Sequence, residues 1–457
     1  MEKEVTAIFD IGKTNKKFFL FDSDFKEVYR EYVQFNEITD EDGHPTEDLE
    51  ALRNWLREVF DRILQTENFN IKAINFSSYG ASLVYLDENR DVIFPMYNYT
   101  KAMPEHITNS FYQKYGPEPE FHQHTGSSNS GMLNAGLQLY WLKYERPQLF
   151  QKVKYALHLP QYLSYVFTGI PLSEYTSIGC HTGLWDFEKK DYHDWIYTEK
   201  LDQILPPIVS TETSINMNYN GKRIKIGVGI HDSSAALLPY VRSLKKRFVL
   251  ISTGTWSVAL NPFVEKTLSR SDVENGCINY MRINGKPVKS ARVFLGNEYL
   301  IQVKKLTERY GVDPDRHKTV AFDAETHYEI VKEFDNIYRW ESIDCPNMPE
   351  ETIYRYDTFD EAYHHLMLEL VHLQVKSVEN AKGNLEIEKL FVDGGFSDNE
   401  IYIQLLSHYF RNMELRTTDS SLGSALGAAI CISDTQLNSK FLKKNYSMKK
   451  HIPFIAK

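Results

Sequence analysis

Two stretches of this chain, about 240 residues apart, follow one plan. Val5–Asp10 is a run of apolar, partly β-branched residues ending on an acid. Ile11–Asn15 carries Gly12 and Thr14, and Lys16–Asp22 turns apolar again. Phe248–Ser252, Thr253-Gly254-Thr255 and Trp256–Leu260 repeat that order. Short β-rich runs broken by a Gly-Thr turn predict strand, turn and return strand at both places. A chain that opens each half in this way is constrained towards two units of related architecture. The boundary falls close to Pro239, giving residues 1–240 and 241–457. Two hairpins with no common plan would leave the same local pattern.

The intervening sequence alternates strand and helix signals. Leu49, Leu52, Trp55, Leu56, Val59, Phe60 and Ile63 fall at three- and four-residue steps, which predicts an amphipathic helix over Glu47–Leu64 with Thr46 as its N-cap. Strands are expected at Ile71–Ser77, Ala81–Leu86, Gly227–Ile230 and Lys389–Val392. Helices are expected at Leu133–Lys143, Pro160–Phe167, from Ser233, and from about Asp398 to Phe410. Such alternation means an α/β protein.

Composition narrows the class. With 62 acidic against 52 basic residues the net charge is −10, the wrong sign for a nucleic-acid or anionic-membrane binder. The four cysteines (180, 277, 345, 431) contain no CxxC, which suits a reducing, cytoplasmic compartment rather than a disulfide scaffold. MEKEVTAIFD lacks the basic start of a signal peptide, and no apolar run reaches the roughly 18 residues of a membrane helix. His122, His124, His364 and His365 show no metal-binding spacing.

The turns carry the chemistry. Ala7–Thr14 satisfies a relaxed P-loop pattern, but a P-loop needs a flexible loop leading into a helix. Here the intervening residues are strand-like, and KKFFLFD follows without a helical period. The other reading is a phosphate-binding hairpin. Gly12 lets the backbone approach a phosphate, the amides of Lys13, Thr14 and Asn15 donate to it, and Lys13 or Lys16 adds charge. Asp10, at the strand end, suits Mg²⁺ held through water. Gly254 and Thr255 offer the same donors. In Asp393-Gly394-Gly395 the paired glycines would let a flat ring or phosphate lie on the backbone before a helix start that Ser397 or Asp398 can cap. Asp232 ends a strand, where a carboxylate can take a proton from a hydroxyl; it also suits a helix cap. Gly227-Val228-Gly229 fails as a dinucleotide fingerprint, because the third glycine position holds Asp232. Gly423–Ala429 is a small-residue helix fit for close packing.

Taken in order, DIGKTN, GIHDSSAAL, STGTWS, DGGFSDNEIYIQLLSHYF and LGSALGAAI resemble the motifs of the FGGY carbohydrate kinases, over nearly the whole chain. HLPQYLSYVFTGIPLSEYTS is most similar to the rhamnulokinase branch and less to fuculokinases and xylulokinases. The resemblance implies two ribonuclease-H-like lobes around a cleft, the first binding sugar and the second ATP. It implies an ATP- and Mg²⁺-dependent kinase acting on a ketose of the L-rhamnulose, L-fuculose or xylulose type, as monomer or homodimer. Asp232 would be the base. Gly12, Lys13, Thr14, Asn15, Gly254 and Thr255 would contact phosphates, and Gly394, Gly395 and Asn399 the adenosine, with LGSALGAAI packed beneath. Gly80, Tyr79, His231, Asp232 and Asn98 would line the sugar pocket, with Tyr97 and Tyr99 as further aromatic walls; Asn297 matches a sugar-proximal Asn. The chain departs from the family at Lys13, where Thr, Ser or Ala is usual, and at Ser-Tyr-Gly-Ala-Ser in the first sugar motif. Two other readings stand beside this one: a non-catalytic, sugar-responsive regulator on the same fold, and a P-loop kinase.

Overall fold

The computed structural model describes residues 2–344, 355–418 and 422–454; Cys345 lies outside the described residues. They form two compact units. The first comprises Met1–Ser243, Phe263–Val288 and Leu422–Phe441. The second comprises Leu244–Pro262, Lys289–Ser421 and Leu442–Lys457.

In the first unit the strand Lys3–Ile11 is central. It pairs antiparallel with Lys16–Phe21, setting Asp10 opposite Lys17 and Ile11 opposite Lys16. On its other side it pairs parallel with Phe69–Ser78, setting Asp10 beside Ser77 and Ile11 beside Ser78. The sheet order is Ser214–Tyr219, Lys222–Gly227, Phe69–Ser78, Lys3–Ile11, Lys16–Phe21, Glu27–Val33. Because Lys16–Phe21 is a strand and no helix follows the turn, the P-loop reading of Ala7–Thr14 is ruled out.

Fully buried Phe9 stacks with Phe76 at 6.1 Å, meets Trp55 edge-on at 5.3 Å and lies 4.7 Å from Phe18. The helix Leu49–Leu64 lays Leu52, Leu56, Val59, Phe60 and Ile63 onto this face. Each such burial contributes about 1.5–3 kcal/mol. Its N-cap is Asp48, which accepts from the Ala51 amide, and not Thr46. Thr46 instead lies in a two-residue strand and gives its hydroxyl to the Met96 carbonyl.

The expected strand Gly227–Ile230 is two strands, Lys222–Gly227 and Ile230–His231. Gly229 breaks it, with φ +89° and no room for a Cβ, which would lie 2.4 Å from the Pro160 carbonyl oxygen. Ile230–His231 still joins the sheet, parallel to Phe69–Ser78, with His231 beside Ser78. The helix Asp232–Ser243 begins at once. The small-residue helix Gly423–Cys431 packs against it so closely that a Cβ on Gly427 would lie 1.8 Å from the Ala235 carbonyl oxygen. Asn75 Nδ2 also donates to the Ala428 carbonyl at 2.9 Å. These contacts are why Leu422–Phe441, far beyond residue 241, groups with the first unit. They give the small residues a partner in the Asp232 helix, where the sequence pointed to the adenosine segment.

The second unit repeats the scheme. Phe248–Thr253 pairs antiparallel with Ser257–Asn261 and parallel with Lys389–Gly394, which pairs parallel with Glu414–Thr418. The helix Phe359–Lys382 begins with a reciprocal cap between Thr358 and Glu361.

Candidate functional site

In open α/β sheets, ligands bind beyond the carboxyl ends of the parallel strands. Three such ends meet in the first unit: Asp10-Ile11, Ser77-Ser78 and Ile230-His231, with Asp232 next in the chain. Asp10 is 9% exposed and accepts from Ser424 Oγ at 2.9 Å. Burial pushes its carboxyl above the usual range. Lys17 and the Ser424 hydroxyl pull it down, and the nearby Asp232 charge pushes it up again. Two carboxylates thus face one region, and burial makes the charge on Asp10 costly.

Asp232 is 37% exposed at its side chain. Oδ1 accepts from the Ser233 amide at 2.5 Å and lies 3.4 Å from His231 Nε2. His231 is fixed from several sides. Its amide donates to Thr176 Oγ1 at 3.0 Å, Nε2 lies 3.2 Å from Cys180 Sγ, and its ring sits 5.8 Å from that of Tyr280. Gly80 is required beside it, because a Cβ there would lie 2.8 Å from His231 Cδ2. His231 Nδ1 is buried without a hydrogen-bond partner among the described residues. Tyr79 and Tyr99 meet edge to face at 5.8 Å. Burial raises the Tyr99 hydroxyl pKa; Lys13 opposes the rise, and Asp232 and Glu47 add to it. One aromatic wall therefore lies within the fields of the turn and of Asp232.

The turn itself is tight: the Gly12 amide donates to the Asn15 carbonyl at 3.0 Å. Lys16 is buried, bonded to Glu47 Oε2 at 2.7 Å and to the Lys13 carbonyl at 2.9 Å. Lys13 pairs with Glu37, and Glu47 Oε1 lies 3.5 Å from its ammonium. Gln34 Nε2 donates to Asn15 Oδ1 at 2.7 Å. The expected cations are present, each already matched by a carboxylate.

Two expected pocket residues are used elsewhere. Asn98 is buried, donates to the Pro45 carbonyl at 2.9 Å and accepts from the Thr100 amide at 3.1 Å, so its side chain holds loops together. Tyr97 is fully buried in an aromatic core, 4.7 Å from Trp141, with its hydroxyl on Glu41.

In the second unit the Gly254 amide donates to the Trp256 carbonyl at 2.9 Å. The Thr255 carbonyl accepts from the Gly296 and Asn297 amides that open the helix Leu295–Tyr310. Thr253 Oγ1 donates to the Asp393 carbonyl at 2.6 Å and accepts from the Phe396 amide at 3.0 Å. Gly394, at φ +90°, has no room for a Cβ, whereas beside Gly395 there is open space. The helix Glu400–Tyr409 is capped by Asn399, not Ser397 or Asp398. Asn399 Oδ1 takes the Tyr402 amide, and Nδ2 donates to Tyr363 Oη at 2.9 Å. Asn399 therefore shapes this turn while its polar atoms are already engaged.

Sequence reasoning missed Glu37, Glu47, Gln34, Ser424, Cys180 and Tyr280. All act across long separations that leave no periodic signal. Among the described residues no helix is long and apolar enough to cross a membrane, and no group of three His, Cys, Asp or Glu is arranged to hold a metal ion.

Residues 5–237 match the N-terminal domain of the FGGY family of carbohydrate kinases, and residues 245–330 match its C-terminal domain. The chain belongs to the FGGY family. A rhamnulokinase of Yersinia pestis is 25% identical over 241 residues, 50% of this chain and 47% of that protein, so the chain spans about half the length of the curated FGGY relatives it matches. A carbohydrate kinase from Novosphingobium aromaticivorans superposes with a TM-score of 0.80 at 22% identity, covering 99% of this chain and 95% of that one. A xylulose kinase from Lactobacillus acidophilus superposes at 0.79 with 16% identity, covering 99% and 94%. The FGGY fold, α/β with two ribonuclease-H-like units, accounts for the paired hairpins.

Proposed function

We propose that this chain is an ATP-dependent sugar kinase that transfers the γ-phosphoryl group to a hydroxyl of a ketose, with Asp232 as general base. The observation that carries the reading is the convergence of Asp10, Ser77-Ser78 and His231-Asp232 at three parallel strand ends, beside a glycine turn. Rhamnulokinases and a xylulose kinase among the relatives make a ketulose of that size the first acceptor to test.

Asp232 takes the proton of the acceptor hydroxyl as its oxygen bonds to the phosphorus and ADP leaves. His231, fixed by Thr176 and Cys180, sets its Nε2 3.4 Å from the Asp232 carboxylate and so positions it. Tyr79 and Tyr99 exclude water from one side. In the first unit the amides of Lys13, Thr14 and Asn15 donate to phosphate oxygens, the Gly12 amide being held by the Asn15 carbonyl. Gly395 leaves a flat backbone surface for the adenosine. Asp10 fits a hydrated divalent cation: it is buried at a strand end and lies within the field of a second carboxylate, Asp232. Mg²⁺ held there would neutralise phosphate charge. ATP as donor and the reducing-compartment cysteine usage suit a cytoplasmic enzyme.

The test is ADP release with a panel of ketoses, including L-rhamnulose, L-fuculose and the xyluloses, with glycerol as control. Asp232→Asn should lower kcat about 10²–10⁴-fold on the best acceptor. Wild-type turnover in that variant would refute the assignment. Sugar binding without turnover by the unmutated protein would favour the regulator instead.

A further inference from the structure

The first glycine turn carries two lysines and is met by two glutamates, so it is electrically balanced before any phosphate arrives. The two pairs differ. Lys16 and Glu47 are 2% and 5% exposed, 2.7 Å apart, and Lys16 also bonds the Lys13 carbonyl. Neither partner can leave without stranding a buried charge, so this pair is architecture. Lys13 and Glu37 are 28% and 45% exposed at their side chains. Glu47 Oε1 lies 3.5 Å from the same ammonium, and the buried Tyr79 hydroxyl also faces the Glu47 carboxylate. An exposed pair of this kind is weak and easily exchanged, whereas a phosphate oxygen offers a lysine a charge-assisted bond roughly twice as strong as a neutral one.

We propose that Glu37 sets nucleotide affinity by competing with the polyphosphate for the Lys13 ammonium: the Lys13–Glu37 bridge is a latch that the nucleotide must open. This rests on the reading of Gly12–Asn15 as a phosphate site and adds to it a residue about twenty positions away. Glu37 is a positioning residue that acts through Lys13. Gln34 Nε2 bonds Asn15 Oδ1 at 2.7 Å, so the segment that carries Glu37 touches the turn at a second point. The chain gains a phosphate contact, and Glu37 keeps that contact from binding anions indiscriminately.

The experiment is a double-mutant cycle on the full chain, reading ADP and ATP dissociation constants by calorimetry and KM for ATP and for the best sugar by coupled assay. Glu37→Gln should tighten nucleotide binding about two- to fivefold, the range open to an exposed ion pair, with kcat and the sugar KM unchanged. Lys13→Thr should weaken it. In the Lys13→Thr background, Glu37→Gln should lose most of its effect; with Lys13 present, Glu37→Asp, which keeps the carboxylate, should leave affinity at the wild-type value. An effect of Glu37→Gln that is equal in both backgrounds, or absent in both, overturns the latch. If the unmutated protein binds no nucleotide, the kinase reading itself fails; if it binds nucleotide and the coupling is missing, only the latch fails.

Discussion

Gly427→Ala puts one methyl group where the structure has no room. The new Cβ would lie 1.8 Å from the Ala235 carbonyl oxygen, 2.4 Å from its carbon and 2.9 Å from its Cα, all backbone of the helix Asp232–Ser243. Backbone cannot rotate away as a side chain can, so the two helices must part by roughly 1.5 Å to reach ordinary contact. Overpacking of this kind costs about 1–3 kcal/mol, against a gain of about 1 kcal/mol from Ala over Gly in a helix. The net cost is about 0–2 kcal/mol, and at about 2–4 °C of melting midpoint per kcal/mol the fall should reach up to about 8 °C. The larger effect is catalytic. Asp232 begins the displaced helix, and a misplacement of about 1 Å can cost about 10²-fold in rate. Thermal melts by circular dichroism and kcat by ADP release give the two readouts. A Gly427→Ala protein that melts within about 1 °C of wild type and keeps its kcat would refute the reasoning, because the close approach would then constrain nothing.

Gly80→Ala should force the His231 ring away from Asp232 and Cys180, since its Cβ would lie 2.8 Å from Cδ2; kcat/KM should fall at least about tenfold with the circular dichroism spectrum unchanged. Gly394→Ala and Gly395→Ala should separate: the first, at φ +90° and 1.9 Å from the Thr253 carbonyl oxygen, destabilises the second unit, whereas the second, with open space, folds normally and weakens ATP binding. His158 supplies a pH dependence. Burial, helped by His231, lowers its pKa from 6.5 to about 3, so the fold keeps it neutral while the unfolded chain takes up a proton below 6.5. Stability should therefore fall as pH drops from 6.5 towards 3, by up to about 1.4 kcal/mol per pH unit for this group. Urea midpoints at pH 7 and pH 5 should show that slope flattened in His158→Gln; an unchanged slope would assign it to other groups.

What could be read in advance were the features that repeat at short range. The two hairpins were visible because β-branched runs and a Gly-Thr turn suffice to specify them, and the place of Asp232 just past a strand end was visible because an apolar run leads up to it. The break at Gly229 was missed: the strand pattern runs through it, and only the later approach of Pro160 forbids it. Asn98 and Tyr97 lie in an irregular stretch, where no periodicity tells which way a side chain points; one went to backbone partners and the other into the aromatic core. At the helix after Gly395, three polar residues in a row could each cap, and the choice of Asn399 depended on Tyr363, 36 residues away. Glu37 and Glu47 were invisible because an ion pair across 24 or 31 positions has no sequence signature.

Thr253 has a consequence for how the second unit would behave in heavy water. Its hydroxyl binds Asp393 and Phe396, and its carbonyl takes the Gly395 amide at 3.1 Å. The amides of Gly395 and Phe396 belong to an exposed turn by position, yet they are bonded to a strand in the middle of the sheet. Their deuterium uptake should follow the slow opening of that sheet rather than the fast fraying of a loop. A nucleotide would then find this turn already ordered, and its arrival would leave the exchange of these two amides almost untouched.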